Sequence, residues 1–284
     1  MNVNSSHNED MLTIRGLSKL YGKGCPDCIT LTGPEYGRNI CPRCGTIVAC
    51  ADIDLEVYPG EVLGIVGESG SGKSTLVKTL YFDELPTTGE FYLQPYEQGQ
   101  TNLYGLSAQQ KRYVRNHLMG MVYQNPHLGL RLDNTSGGNI AEKLLMADWN
   151  HVGNIRKRAK ELLTQTQIPI ERMDEQPRNF SGGMQQRVQI SKALANNPPV
   201  LLLDEVTTGL DVSVQARVLD LIRQIQRELG ISMIVVSHDF SVIRMLTNRT
   251  MVMKNGRIVE KGLTDQIIED PQHEYTQLLI HSLI

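Results

Sequence analysis

The feature that most constrains this 284-residue chain is a glycine-rich segment, Gly67–Thr75, which reads GESGSGKST. It matches the pattern G-x-x-x-x-G-K-[ST]. The continuous apolar run 62–66 precedes it and is typical of a strand buried on both faces. A helical stretch from Lys73 to about Tyr81 follows. Strand, loop and helix in this order open a βαβ unit, which predicts an α/β fold.

The glycine-rich segment is chemically suited to bind a triphosphate. Its glycines let successive backbone N–H groups turn inward around an anion, and the following helix N-terminus adds partial positive charge. Lys73 can reach the β- and γ-phosphates, and the Ser74 hydroxyl can ligate Mg²⁺. We therefore predict that the phosphates are held by Gly67, Glu68, Ser69, Gly70, Ser71, Gly72, Lys73, Ser74 and Thr75.

An acidic pair follows a second apolar strand, 200–203. Asp204 is predicted to end that strand and to hold Mg²⁺ through water. Glu205, the next residue, can polarise an attacking water. The alternative is an exposed acidic turn without a catalytic role.

A second anion site is predicted where Asn179–Arg187 opens a helix. Ser181 is a good N-cap, and Gly182 and Gly183 leave backbone N–H groups uncovered. A single γ-phosphate has no need of two such anion sites from the same subunit. Two chains facing head-to-tail could share the nucleotide.

These two loops resemble the phosphate loop and the signature loop of ABC-type ATPases. Four shorter family elements also have counterparts in this chain: Tyr21 for the aromatic residue on adenine, Gln124 for the Q-loop, 209–211 for the D-loop and His238 for the switch histidine. Their order and spacing fit the family over about residues 11–284, apart from a cysteine insert. The resemblance implies an ABC-type P-loop NTPase fold. That fold has a RecA-like core with a mostly parallel sheet, an antiparallel β subdomain and a helical subdomain.

The resemblance also implies an ATPase that works as a head-to-tail dimer, here a homodimer. The implied catalytic residues are Glu205, His238, Gln124 and Lys73, and Gln124 joins Ser74 and Asp204 as a Mg²⁺ ligand. The implied ATP contacts outside the phosphate loop are Tyr21, Gln124, Ser181, Gly182, Gly183, Gln185, Asp204, Asp211 and His238. The chain departs from the family pattern at Val206, where proline is usual, and in its D-loop, but neither change removes a reacting group. A non-catalytic nucleotide switch is the alternative from a different functional class.

Within this class, segments 211–217 and 273–279 are similar to two kinds of ATP-binding subunit. One serves peptide importers and the other serves the bacterial carbon–phosphorus (C–P) lyase system, which processes phosphonates. Segments 129–131, 136–140 and 262–265 favour the second. The resemblance then implies a soluble lyase core as partner, and the importer alternative implies a permease. In either case, we expect residues 125–150 to form the partner-docking surface.

All five cysteines lie between positions 25 and 50. Two C-x-x-C pairs, Cys25 with Cys28 and Cys41 with Cys44, can offer four thiolates to one structural Zn²⁺. A rubredoxin-like iron site and redox disulfides are the alternatives. Cys50 is left over and is expected to be a small buried residue of the following strand. The insert either staples a loop too small for its own core or forms a docking knob near the nucleotide.

The domain plan has four parts. We predict a flexible tail at 1–10 and an ABC ATPase domain at 11–284, which contains the cysteine insert (residues 25–50) and a helical subdomain at about 104–195. The formal net charge of −3 and the sequence pI of about 6.2 argue against a nucleic-acid partner. The polar N-terminus and the lack of an apolar run of roughly 18 residues predict a cytoplasmic protein, to which any membrane would be supplied by a partner.

Overall fold

A computed structural model describes residues 10–281, so the predicted tail at 1–10 lies outside the described residues except for Asp10. The chain divides into two compact units. Unit 1 comprises Met1–Ser107 and Ile234–Ile284, and unit 2 comprises Ala108–Met233. The strands are β1 (Leu12–Tyr21), β2 (Ile47–Val57), β3 (Val62–Val66), β4 (Thr88–Leu93), β5 (Met119–Val122), β6 (Val200–Asp204), β7 (Ser232–Ser237), β8 (Arg249–Lys254) and β9 (Arg257–Leu263). The α-helices are α1 (Lys73–Leu80), α2 (Ala108–Tyr113), α3 (Pro126–Gly129), α4 (Ser136–Leu145), α5 (Val152–Gln165), α6 (Gly182–Ala193), α7 (Val212–Leu229), α8 (Phe240–Leu246), α9 (Thr264–Glu269) and α10 (Glu274–His281).

Unit 1 contains an antiparallel sheet and a mixed sheet. In the antiparallel sheet the order is β2-β1-β4, and Leu12 lies opposite Val57 on one side and Leu93 on the other. In the mixed sheet β3 pairs parallel with β8, and β8 pairs antiparallel with β9. Asn255 and Gly256 join β8 to β9 with φ angles of 44° and 80°. This is the conformation expected of an Asn-Gly hairpin turn, because both central residues of a type I′ turn have positive φ.

Unit 2 carries most of the long helices. Its strands β5 and β6 pair in parallel, with Met119 opposite Val200. The longest helix, α7, has 18 residues and ends at Gly230, which adopts a left-handed conformation with φ 61°. Along one face of α7, Val218, Leu221, Ile222 and Ile225 are buried, whereas Leu229 at the end of the helix is 42% exposed. No helix within residues 10–281 is both long enough and apolar enough to cross a bilayer.

The structure differs from the sequence-based expectations at three strands. β2 begins at Ile47, inside the segment expected to be the cysteine insert (residues 25–50), because its pairing with β1 continues as far as Tyr21 opposite Ile47. β4 was not predicted. β5 falls inside the stretch expected to be mostly helical, because its four residues, MGMV, are too few to produce a recognisable alternation. The boundaries of the domain plan stay predictions.

Candidate functional site

In the phosphate loop of unit 1, the side chain of Lys73 is enclosed by the loop and bonded to its oxygen atoms. Lys73 is only 3% exposed. Its Nζ donates to the carbonyl oxygens of Gly67 at 2.7 Å and Glu68 at 2.8 Å, and lies 3.4 Å from Ser71 Oγ. Phosphate oxygens are stronger acceptors than carbonyl oxygens because they are charged. The ammonium group is therefore in place to exchange these carbonyls for a nucleotide's phosphates.

Two glycines of this loop are required by close packing. A Cβ at Gly67 would lie 2.1 Å from the carbonyl oxygen of Met253, and a Cβ at Gly72 would lie 2.0 Å from that of Ala49. Gly72 also has a φ of 108°, which side chains rarely adopt. The glycines thus let the loop rest directly on the backbone of β2 and β8.

Tyr275, on α10, is a contact of the phosphate loop that the sequence did not predict. Its hydroxyl oxygen accepts a hydrogen bond from Glu68 N at 3.2 Å. The side chain is 4% exposed, and burial raises its pKa, so the hydroxyl stays protonated. Because Tyr275 is buried, its hydroxyl holds the backbone of the phosphate loop at Glu68 in one position. The segment 273–279 had been interpreted only as a family resemblance.

The other predicted ATP contacts of unit 1 are exposed. Tyr21 ends β1 with 37% of its side chain exposed, and its hydroxyl donates to the Glu84 carboxylate. Burial, followed by the bond to Glu84, raises the pKa of Tyr21 to about 12. The Lys19 ammonium lies 4.8 Å from the ring centroid. His238 lies exposed between the end of β7 and the start of α8.

In unit 2, two predicted catalytic side chains are in direct contact. Gln124 Nε2 donates to Glu205 Oε2 at 3.0 Å, and the Thr208 hydroxyl donates to the same oxygen at 3.1 Å. Asp204 is the last residue of β6 and is 3% exposed. The backbone turns sharply at Glu205, where φ is 46°. This turn separates a buried carboxylate, Asp204, from a partly exposed one, Glu205.

Two buried glutamines on α6 were missed as functional residues. Gln189 Oε1 accepts from Tyr123 N at 2.6 Å, and its Nε2 donates to Tyr123 O at 3.1 Å. Gln186 Nε2 donates to Val206 O at 3.0 Å. The helix thereby holds the backbone residues next to Gln124 and Glu205. Their spacing places the two glutamines on one helix face, but the sequence does not show that this face is buried or which backbone groups the amides bind.

The signature loop is organised by its own side chains. Ser181 Oγ accepts from Met184 N at 3.4 Å, as predicted for the N-cap of α6, and Gly182 is exposed. A Cβ at Gly183 would lie 2.2 Å from a methyl carbon of Val214 on α7. Gly183 thus lets α6 pack closely against α7, and Gly182 leaves the first turn of α6 uncovered.

Two predicted ATP contacts of unit 2 have partners within their own loops. Gln185 Nε2 donates to Pro177 O at 2.9 Å. Asp211 caps α7 by accepting from Val214 N at 3.0 Å, and the hydroxyl of Ser213, followed by that amide, lowers the pKa of Asp211. Both side chains thus shape the segments that carry them.

The four predicted metal ligands of unit 1 meet at one point. The sulfur atoms of Cys25, Cys28, Cys41 and Cys44 all lie within 4.8 Å of one another. The separations from Cys25 are 3.5 Å to Cys28 and 3.7 Å to Cys41, and Cys28 lies 3.4 Å from Cys44. Four thiolates about 2.3 Å from a tetrahedral zinc ion are separated from one another by about 3.8 Å. The donor set therefore fits such an ion.

Neighbouring residues support these thiols. Thr46, through its hydroxyl at 3.2 Å and then its backbone, lowers the pKa of Cys44 to about 6, which favours the thiolate that binds metals. Arg43 of the second pair forms an ion pair with Asp27 of the first. Cys50 is fully buried in β2, which confirms its prediction.

Comparisons with known proteins agree with this geometry. A family model described as ABC transporter matches residues 50–208. The chain is 46% identical over 234 residues to the putative phosphonates utilization ATP-binding protein PhnK of Escherichia coli strain K12, a match that covers 82% of this chain and 91% of that protein. It is 37% identical to the oligopeptide transport ATP-binding protein OppF of Lactococcus lactis subsp. lactis strain IL1403, over 84% of this chain and 72% of that protein. A dimeric, post-hydrolysis structure of the ATP-binding cassette MJ0796 with ADP and Pi superposes with a TM-score of 0.74 and 28% identity, over 89% of this chain and 99% of that one.

Proposed function

This chain belongs to the ABC transporter family and is an ATPase, and from that premise we propose that it is the ATP-hydrolysing subunit of a phosphonate C–P lyase complex. The relative PhnK, whose name refers to phosphonate utilization, supports the proposal because it is more similar to this chain than OppF is. The partner would then be a lyase core in the cytoplasm. The similarity to OppF supports the importer alternative, in which the partner is a permease.

The catalytic assignment depends on one observation, the hydrogen bond from Gln124 to Glu205. A carboxylate held at the end of a buried strand can accept a proton from a water molecule that attacks the γ-phosphate. The amide of Gln124 orients that carboxylate through Nε2. The side-chain oxygen of Gln124, Oε1, is the type of ligand that Mg²⁺ prefers.

The remaining groups stabilise charge and position the nucleotide. Lys73 would neutralise phosphate oxygens from within the loop, and His238 would hold the γ-phosphate. Mg²⁺, with Ser74, Asp204 and Gln124 as its proposed protein ligands, supplies further charge neutralisation on the phosphates when bound. Tyr21 would stack on the adenine.

We propose that two copies of the chain face each other head-to-tail. The first turn of α6, where Ser181 and Gly182 are exposed and Gly183 is buried, would offer its N–H groups to the nucleotide on the other copy. The dimeric state named for the MJ0796 cassette supports this arrangement. Because Gln185 and Asp211 are already engaged in their own loops, we assign them the shaping of this surface.

We also propose that the cysteine insert binds one structural Zn²⁺. Its four sulfur atoms have spacings close to those of a tetrahedral thiolate site. Four protein ligands leave no open coordination position, so this ion would have no catalytic role. The iron and disulfide alternatives are separated from zinc by elemental analysis of the purified protein.

Substitution Glu205→Gln tests the catalytic role. We expect kcat to fall by about 10²- to 10⁴-fold, because the general base is lost, while ATP binding persists. With Mg-ATP the variant should elute as a dimer in size-exclusion chromatography. Steady-state turnover equal to that of the unaltered protein would refute the assigned role.

A growth experiment tests the biological role. The gene is deleted in its source organism, and growth is compared with a phosphonate or with inorganic phosphate as the sole phosphorus source. We expect failure on the phosphonate alone, restored by the original gene and not by a Glu205→Gln copy. Normal growth on the phosphonate together with loss of peptide uptake would instead establish the importer alternative.

A further inference from the structure

The cysteine insert is attached to two elements of the proposed nucleotide site. Its first end follows directly from β1, whose last residue, Tyr21, pairs with Ile47 of β2. The hydroxyl oxygen of Thr46 accepts from Gly24 N at 3.0 Å and lies 3.2 Å from Cys44 Sγ. This side chain is 2% exposed. One buried hydroxyl therefore joins both cysteine pairs to the point where β1 ends and β2 begins.

The first residues of β2 support the phosphate loop. Gly72 packs against the carbonyl oxygen of Ala49, and Cys50 Sγ lies 3.8 Å from Gly72 O. The hairpin residue Gly256 bridges the same two segments, because its N–H donates to Ser71 O at 2.9 Å and its carbonyl accepts from Ala51 N at 2.8 Å. The position of β2 thus sets the position of residues 71 and 72.

The insert also contacts the loop directly. Asn39 Nδ2 lies 3.5 Å from Gly70 O, and Asn39 O accepts from Val48 N at 2.7 Å. On the other side, Arg257, next to Gly256 in the chain, donates to Ile29 O at 2.8 Å. Three separate points of the insert are therefore linked to the phosphate loop or to its supporting hairpin.

The insert has little apolar material with which to hold this shape. Its buried cluster consists of Cys28, Cys41, Val48 and Ala51, and two of these four are predicted metal ligands. A segment with so small a core depends on a cross-link or a metal to stay folded. If the thiolates are not held together, the contacts of Asn39 and Thr46 are lost with them.

We propose that the metal-bound cysteine insert is a clamp that positions the phosphate loop, and that Asn39 is its positioning residue. ATP affinity then depends on metal occupancy, because the coupling runs through β2 and not through any metal–nucleotide contact. This inference rests on the proposed zinc ion and on the proposed nucleotide site. It assigns the insert a role in nucleotide binding in addition to local stability.

The test measures zinc content, the dissociation constant for a fluorescent ATP analogue, and the KM for ATP beside kcat. In the unaltered full-length protein, removing zinc with a chelator should weaken binding about tenfold, and adding zinc back should restore it. Cys25→Ser should lose zinc and show the same weakening. Asn39→Ala should keep its zinc and its kcat, with KM raised about threefold, because only the loop contact is lost. Asn248→Ala, an exposed asparagine of the same unit, is the matched control and should change neither quantity.

Two results would overturn the clamp, and they are distinguishable. If zinc removal and Asn39→Ala leave ATP affinity unchanged while Lys73→Ala abolishes it, the nucleotide site stands and the clamp is wrong. If the unaltered protein binds ATP no better than Lys73→Ala does, the proposed nucleotide site itself fails, and the clamp fails with it. Thermal unfolding of each variant separates these outcomes from loss of folding. The reversible chelation uses the unaltered protein, so its result does not depend on whether a substituted chain folds.

Discussion

The phosphate loop in unit 1 and the loops in unit 2 that carry the proposed catalytic residues are held in place by different kinds of interaction. The phosphate loop rests on backbone through glycines, with Gly67 against Met253 O and Gly72 against Ala49 O. The catalytic loops are held by buried side-chain amides, chiefly Gln186 and Gln189 of α6. Close backbone packing tolerates no added atom, whereas an amide network loses its bonds one at a time. The two regions should therefore fail differently when altered.

Gly72→Ala should have the largest effect. The added methyl group would overlap the Ala49 carbonyl oxygen, which lies 2.0 Å from the Cβ position, so the loop must move. We expect ATP affinity to fall at least about 100-fold in a fluorescent-analogue titration. Gly105→Ala is the control, because no atom lies within 4 Å of its Cβ position. If Gly72→Ala binds ATP within about twofold of the unaltered protein, backbone packing does not determine the conformation of this loop.

Gln186→Leu should have an intermediate effect of a different kind. It leaves the buried Val206 carbonyl without its donor and should destabilise the protein by about 1–3 kcal/mol in a denaturant titration. We expect kcat to fall about tenfold with ATP affinity retained, because Glu205 loses its backbone support while the phosphate loop is unchanged. Gln224→Leu, on the exposed face of α7, should change neither. A fall in affinity without a fall in kcat would contradict the comparison.

Tyr275→Phe should have the smallest effect. It removes one hydroxyl acceptor from Glu68 N and leaves the ring packing intact. The loss of one hydrogen bond, about 0.5–1.5 kcal/mol, should raise the dissociation constant for ATP about 2- to 10-fold with kcat unchanged. Tyr36→Phe, at a tyrosine that is 48% exposed, is the control. An unaltered ATP affinity would show that Glu68 needs no support from α10.

The same contrast explains how much the sequence could reveal. The glycine pattern of the phosphate loop is visible in the chain because close packing permits only one residue type at these positions. The strands β3 and β6, the full extent of α7 and the Asn-Gly hairpin were likewise predictable from local patterns. The clustering of four cysteine sulfurs followed from their spacing.

What the sequence concealed depends on tertiary contacts. Gln186 lies beside Gln185 in the signature segment, and nothing local distinguishes the one that holds Val206 from the one that holds Pro177. Tyr275 meets Glu68 across 207 positions of the chain. The early start of β2 was missed because Cys50 assigns residues 47–50, IVAC, to the insert, although they are apolar and pair with β1 as a strand. A contact set by distant partners leaves no local signal.

The hydrogen bond between Gln124 and Glu205 has a consequence for ATP hydrolysis in the absence of work. Gln124 lies two residues before α3, at the start of the segment expected to meet a partner. A partner protein that contacts this segment would displace the same amide that, in our proposal, orients the general base Glu205. The partner would then set the basal rate of ATP hydrolysis, without any change to the residues proposed to bind the phosphates.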